Sequence, residues 1–146
     1  MDAFSSPTAP PGREAASCAP GVTGMPRLIL RGEGLALFAL ATGAFALTGL
    51  SWWIYAALIL APDLSFAGYA AGPRLGALVY NAVHSTVLPA GLLGLGLASG
   101  DALMLGVAAI WAAHIGFDRL LGYGLKYPTG FAETHLGRIG RVRVTA

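Results

Sequence analysis

Four stretches of the chain stay apolar for about the length of a bilayer crossing, and each is closed by a short turn. They are 28–50 ("LILRGEGLALFALATGAFALTGL"), 51–69 ("SWWIYAALILAPDLSFAGY"), 73–99 ("PRLGALVYNAVHSTVLPAGLLGLGLAS") and 101–125 ("DALMLGVAAIWAAHIGFDRLLGYGL"). A hydrocarbon core of ~30 Å needs about 20 residues of helix, so each stretch is long enough. The pattern predicts an all-α membrane protein, a four-transmembrane-helix antiparallel bundle, because short connections force neighbouring spans to alternate in direction. Paired Trp52 and Trp53 suit a membrane-water interface.

The flanks differ. Residues 1–26 hold five of the nine prolines among Ser, Ala and Gly, too little contiguous apolar surface to offset the entropy of ordering, and are read as a disordered tail. Residues 126–146 carry Phe131, Leu136, Ile139 and Val142 among Arg138, Arg141 and Arg143. This basic segment is read as lying on anionic lipid, with a solvated tail as the alternative.

Composition agrees with the hydropathy. The 146 residues are 55% hydrophobic and 11% charged, with a net charge of only +2, well below the roughly 25% charged residues of soluble domains. That charge is too small to argue for nucleic acid. The single Cys18 excludes an internal disulfide, and no apolar segment precedes it as a lipoprotein signal requires. The turns at Gly49–Trp53 and Ser99–Asp101 hold no Lys or Arg; with four spans, all nine basic residues fall on one side. The positive-inside rule then puts both termini in the cytoplasm.

Against this background the polar residues inside the spans stand out. From 1.5 Å of rise per residue, His114 lies roughly 20 Å and Asp118 roughly 26 Å from the outer edge, Asp63 about 18 Å, and Asn81 and His84 about 12 and 16 Å from the inner edge. Glu33 lies within about two turns of the inner edge. Intramembrane ionisable groups cost ~2.5–3.5 kcal/mol each when they face lipid, so these residues are expected to face one another in a pocket on the cytoplasmic side. His114 and Asp118 are four apart and Asn81 and His84 three apart, so each pair shares a helix face. Pro62 removes a backbone donor and is expected to loosen the helix just before Asp63.

The spans are rich in glycine. The spacings 72/76 and 96/100 permit close helix approach, within the bundle or across a homodimer. Arg31 and Arg119 are placed to neutralise Glu33 and Asp118 or, with Arg138 and Arg141, to contact lipid phosphate.

The strings "APDLSFAGYAAGPRLGALVYNAVHSTVLP", "AHIGFDRLLGYGLKYPTGF" and "THLGRIGR" resemble the uncharacterised bacterial integral-membrane family designated domain of unknown function 4260. The likeness covers residues 26–141. It implies a small multi-helix membrane protein, here expected in a bacterial inner membrane, and carries no activity with it.

Chemistry therefore has to come from the residues. Imidazoles of His84 and His114 with the Asp118 carboxylate supply the donors a divalent metal such as zinc accepts, with Asp63 or Glu33 as base and His135 as a third imidazole. Asp63, Asn81, His84, His114 and Asp118 are the candidate catalytic set of a metal-assisted hydrolase or transferase acting on a membrane-associated substrate. The rival reading is a non-enzymatic bundle in which the cluster is structural glue or binds a small ligand, ion or partner. An ion path is disfavoured, because the outer half of every span is nearly free of polar groups.

Overall fold

The computed structural model describes residues 21–140. Its order is α1 (Gly24–Leu47), α2 (Trp52–Leu58), a 3₁₀ helix (Ala61–Ala71), α3 (Pro73–His84), α4 (Val87–Ser99), α5 (Ala102–Leu121) and a small hairpin, β1 (Glu133–Thr134) with β2 (Gly137–Arg138). Four helical units, 24–47, 52–71, 73–99 and 102–121, are long and apolar enough to cross a membrane. Large apolar side chains such as Leu40, Leu47, Leu64, Leu78 and Leu97 point outward. Only an apolar solvent accommodates such a surface without cost.

α5 is the most enclosed helix. Asp101 caps its first turn, accepting from Leu103 N at 2.8 Å and Met104 N at 3.0 Å. Gly122, at φ 95°, ends it with bonds back to Arg119 and Asp118 carbonyls, a left-handed cap that only glycine adopts without strain. α1 lies along α5 with backbone nearly touching backbone. A side chain at Gly34 would meet Arg119 Cβ at 2.6 Å, and one at Gly116 would run into the Phe38 backbone. Further along, Phe45 packs on Ala109 and Ile110, with Leu50, Ile54, Tyr55 and Leu58 around them. Residue numbers thus rise along α1 as they fall along α5.

Two prolines break the second and third spans at useful places. Pro62 has no N–H to give the Leu58 carbonyl, and α2 ends there. The chain rewinds with three-residue bonds, Asp63 N donating to Leu60 O at 3.1 Å. This is the loosening expected at Pro62. The third span, read from sequence as one helix, is interrupted: Ser85 is extended (φ −83°, ψ 148°). Pro89 explains it, since in a continuous helix its ring would clash with the Ser85 carbonyl; restarting after Thr86 puts Pro89 in the first turn of α4, where no N–H is needed. The carbonyls freed by the break find donors elsewhere: Val83 O takes Trp111 Nε1 at 2.7 Å, and His84 O takes Arg119 Nη2 at 3.1 Å. Such pairing is what an interrupted helix in lipid requires.

Gly76 faces the Tyr69 ring and Gly96 faces Leu105, while Gly72 (φ 106°) and Gly100 (φ 70°) are turn residues.

The end of the N-terminal tail and the start of the C-terminal one fold together. Residues 21–26, read as tail, are ordered: Val22 N donates to His135 O at 2.8 Å and α1 starts at Gly24. Residues 126–140, read as a basic segment on lipid or a solvated tail, fold back onto the chain. Lys126 bridges to Thr134, β1 pairs antiparallel with β2, and Leu136 is fully buried. Asn81 is the reason, because its amide mimics a strand edge, donating to Lys126 O at 2.8 Å and accepting from Lys126 N at 2.7 Å. The reading of residues 1–20 as tail, and Arg141 with Val142 and Arg143, lie outside the described residues.

Candidate metal centre

The two helix interruptions and α5 bring one donor atom from each of four residues together. Asp63 comes from the 3₁₀ helix, His84 from the last turn of α3, and His114 and Asp118 from successive turns of α5. Their four donor atoms lie within 4.8 Å of one another. His84 Nε2 and His114 Nε2 are 3.2 Å apart. His84 Nε2 is 3.7 Å from Asp63 Oδ1 and 3.6 Å from Asp118 Oδ2; His114 Nε2 is 3.6 and 3.8 Å from the same atoms. A tetrahedral ion with bonds of about 2.0–2.1 Å holds its donors about 3.3–3.4 Å apart, a value these separations bracket.

The surroundings match what metal ligands need. His84 Nδ1 lies 3.0 Å from the Tyr80 carbonyl. A proton on Nδ1 satisfies that carbonyl and leaves the Nε2 lone pair directed into the cluster, the usual arrangement behind a ligating imidazole. Tyr80 stacks on His84, and its hydroxyl donates to Asp118 Oδ2 at 3.2 Å. Both imidazoles are buried and Asp118 nearly so, whereas the Asp63 side chain is 35% exposed. Three donors are therefore enclosed and the fourth faces a cavity.

That cavity, about 370 Å³, is walled by Asp63, His114, Asp118, Phe66, Tyr80, Phe117, Lys126 and Phe131 among others. Lys126 Nζ donates to Phe131 O at 2.9 Å and sits over the Phe131 and Tyr80 rings, 3.8 and 4.9 Å from their centroids. Burial pulls its pKa down, while the Asp118 and Asp63 carboxylates pull it up. A buried ammonium thus faces the two acids across the cavity.

The sequence-derived residues divide. Asp63, His84, His114 and Asp118 meet. Asn81 does not join them; its amide is spent on the Lys126 backbone. Its i+3 relation to His84 was a face shared only in part, and the residue one full turn before His84 is Tyr80. Arg31 caps α5 through Leu120 O at 2.7 Å, Arg119 serves the His84 and Tyr123 carbonyls, and Arg138 pairs with Glu133 at 3.4 Å. Glu33 and His135 line a separate cavity of about 190 Å³ with Arg119. His135 Nδ1 accepts from Leu125 N at 2.8 Å; it is no third imidazole of the cluster. Tyr80 and Lys126 were missed. A tyrosine one turn from an intramembrane histidine was visible; the position of Lys126, set by a chain reversal, was not.

A family model described as "Domain of unknown function (DUF4260)" matches residues 27–139. No curated protein and no solved structure matches.

Proposed function

The chain belongs to the DUF4260 family, whose description names no activity, and from its own residues we propose a multi-pass membrane protein that holds a divalent metal ion of the zinc class between His84, His114, Asp118 and Asp63 and uses it in hydrolysis or group transfer on a membrane-associated substrate. The observation that carries this is the set of four N and O donors from three elements at mutual distances fit for one small cation. Two ionised carboxylates within 4.8 Å of each other repel, and a cation between them relieves that repulsion.

When bound, such an ion acts as a Lewis acid and lowers the pKa of water toward 7. The protein supplies the rest. His84, His114 and Asp118 are the enclosed ligands. Asp63, at the cavity edge and the most exposed of the four, would take the proton of the attacking water or alcohol. Tyr80 holds Asp118, and Lys126 offers positive charge to an oxyanion in the cavity. The four spans are proposed to run antiparallel with both termini in the cytoplasm of a bacterial cell, supported by the nine basic residues on one side.

Elemental analysis of the protein purified in detergent tests the reading. About one equivalent of zinc, manganese or iron is expected, falling severalfold in His84→Ala and His114→Ala. A folded protein that neither carries nor takes up such an ion overturns it. A structural reading is favoured by one observation, that the His84–His114 and Tyr80–Asp118 bonds satisfy these groups without an ion. It would be upheld if the histidine variants lost thermal stability and the parent held no metal.

A further inference from the structure

A second cavity, about 240 Å³ and almost wholly apolar, borders the cluster. Leu58, Pro62, Val83, Val107, Ile110 and Trp111 wall it. On each element its walls adjoin the cluster: Pro62 precedes Asp63, Val83 precedes His84, and Trp111 lies one turn before His114. The aromatic cavity with Lys126 takes its walls from Asp63, Tyr80, His114 and Asp118 and from residues further along α5 and beyond, Leu121, Tyr123 and Lys126. Asp63, His114 and Asp118 thus line the aromatic cavity that holds Lys126, while Pro62 and Val83, the residues just before Asp63 and His84, line the apolar one.

We propose that the substrate class is an anionic amphiphile, its hydrocarbon chain in the apolar cavity and its oxyanionic headgroup beside Lys126 and the His/Asp cluster. This rests on the divalent-ion reading. Charge favours it: two carboxylates, one ammonium and a divalent ion leave the compartment with a single positive charge, whereas without the ion it is negative and repels an anion. Lys126 keeps N–H donors beyond the one given to Phe131 O. The indole N–H of Trp111 in the wall of the apolar cavity is already bonded to Val83 O at 2.7 Å. The chain's entry costs little, since it moves from lipid to an equally apolar wall, so selectivity resides in the headgroup.

Trp111 reports on the apolar cavity directly. In the Trp52→Phe/Trp53→Phe background, metal-loaded protein in lipid nanodiscs is titrated with 12-bromododecyl phosphate, with inorganic phosphate and 1-bromododecane as controls. Saturable quenching of Trp111 by the bromoalkyl phosphate is expected, but not by either control. Val107→Phe and Ala61→Leu, which fill the cavity, should each weaken it about tenfold at unchanged metal content, and chelation should abolish it. Equal quenching by 1-bromododecane, or quenching that survives chelation or both filling variants, overturns the amphiphile site. Metal content is read on the same samples. A parent without the ion overturns the metal reading, while a loaded parent whose Trp111 is not quenched overturns the amphiphile alone.

Discussion

Tyr80 lies flat on His84, ring centroids 3.7 Å apart and planes 13° from parallel, while its hydroxyl reaches Asp118 Oδ2 at 3.2 Å. One side chain thus orients two members of the cluster that belong to different helices. Tyr80→Phe keeps the stacking and removes only the hydrogen bond. Metal affinity is expected to fall about 10- to 100-fold, as for other partners behind a ligand, at nearly unchanged thermal stability. Competition with a chromogenic chelator measures it; an affinity equal to that of the parent would show that Tyr80 does not position Asp118.

Asn81 clamps the Lys126 peptide with two hydrogen bonds, and through it holds Lys126 in the cavity wall. Asn81→Ala should cost about 1–3 kcal/mol, because two backbone groups lose their partners. Limited proteolysis should then cut residues 122–140 faster while the helices remain protected.

Gly116 and Gly34 let α1 and α5 touch backbone to backbone. Gly116→Val places a branched side chain against Phe38 N, where no flexible neighbour can move aside. A loss of about 1–3 kcal/mol is expected from overpacking, read by unfolding in detergent. Gly94, with open space around it, is the control position, and Gly94→Val should change little.

His135 makes the hairpin sensitive to acid. Burial, then the nearby Arg119 charge, lowers its pKa from 6.5. Arg119 and Glu33 are the charged groups sharing its cavity. The fold therefore prefers neutral His135, whose Nδ1 accepts from Leu125 N. Its contribution is complete above pH 6.5 and is lost as the pH falls from there through the lowered folded value. Hydrogen exchange of residues 122–140 should accelerate over that window, and His135→Gln should flatten the dependence.

Topology can be read with fusions. Reporters active only in the cytoplasm are expected to work at both ends of the chain and to fail when inserted at Gly49 or Gly100, as the distribution of basic residues requires. Activity at Gly100 would reverse the assignment.

Much of this was open to a reader of the chain alone. Hydropathy accumulates locally along the sequence, so four segments long and apolar enough to cross a membrane, and the inward orientation of His84, His114 and Asp118, follow without coordinates. The effect of Pro62 was legible for the same reason, since a missing N–H acts on its own helix. Pro89 was equally visible, but its break at Ser85 exposes carbonyls that need Trp111 and Arg119 to be tolerable, and those partners come from another helix.

Which polar groups share a site was decided by tertiary structure. Winding with three residues per turn after Pro62 rotates each residue about 120° instead of 100°, so the direction of Asp63 could not be read from α-helical spacing. Asn81 left the cluster, and Lys126 entered its cavity wall, because the segment after Gly122 turns back onto α3 and is held by backbone pairing. Burial depends on the sum of a segment's own residues, whereas meeting in space depends on the angles and reversals between segments, which distant partners set.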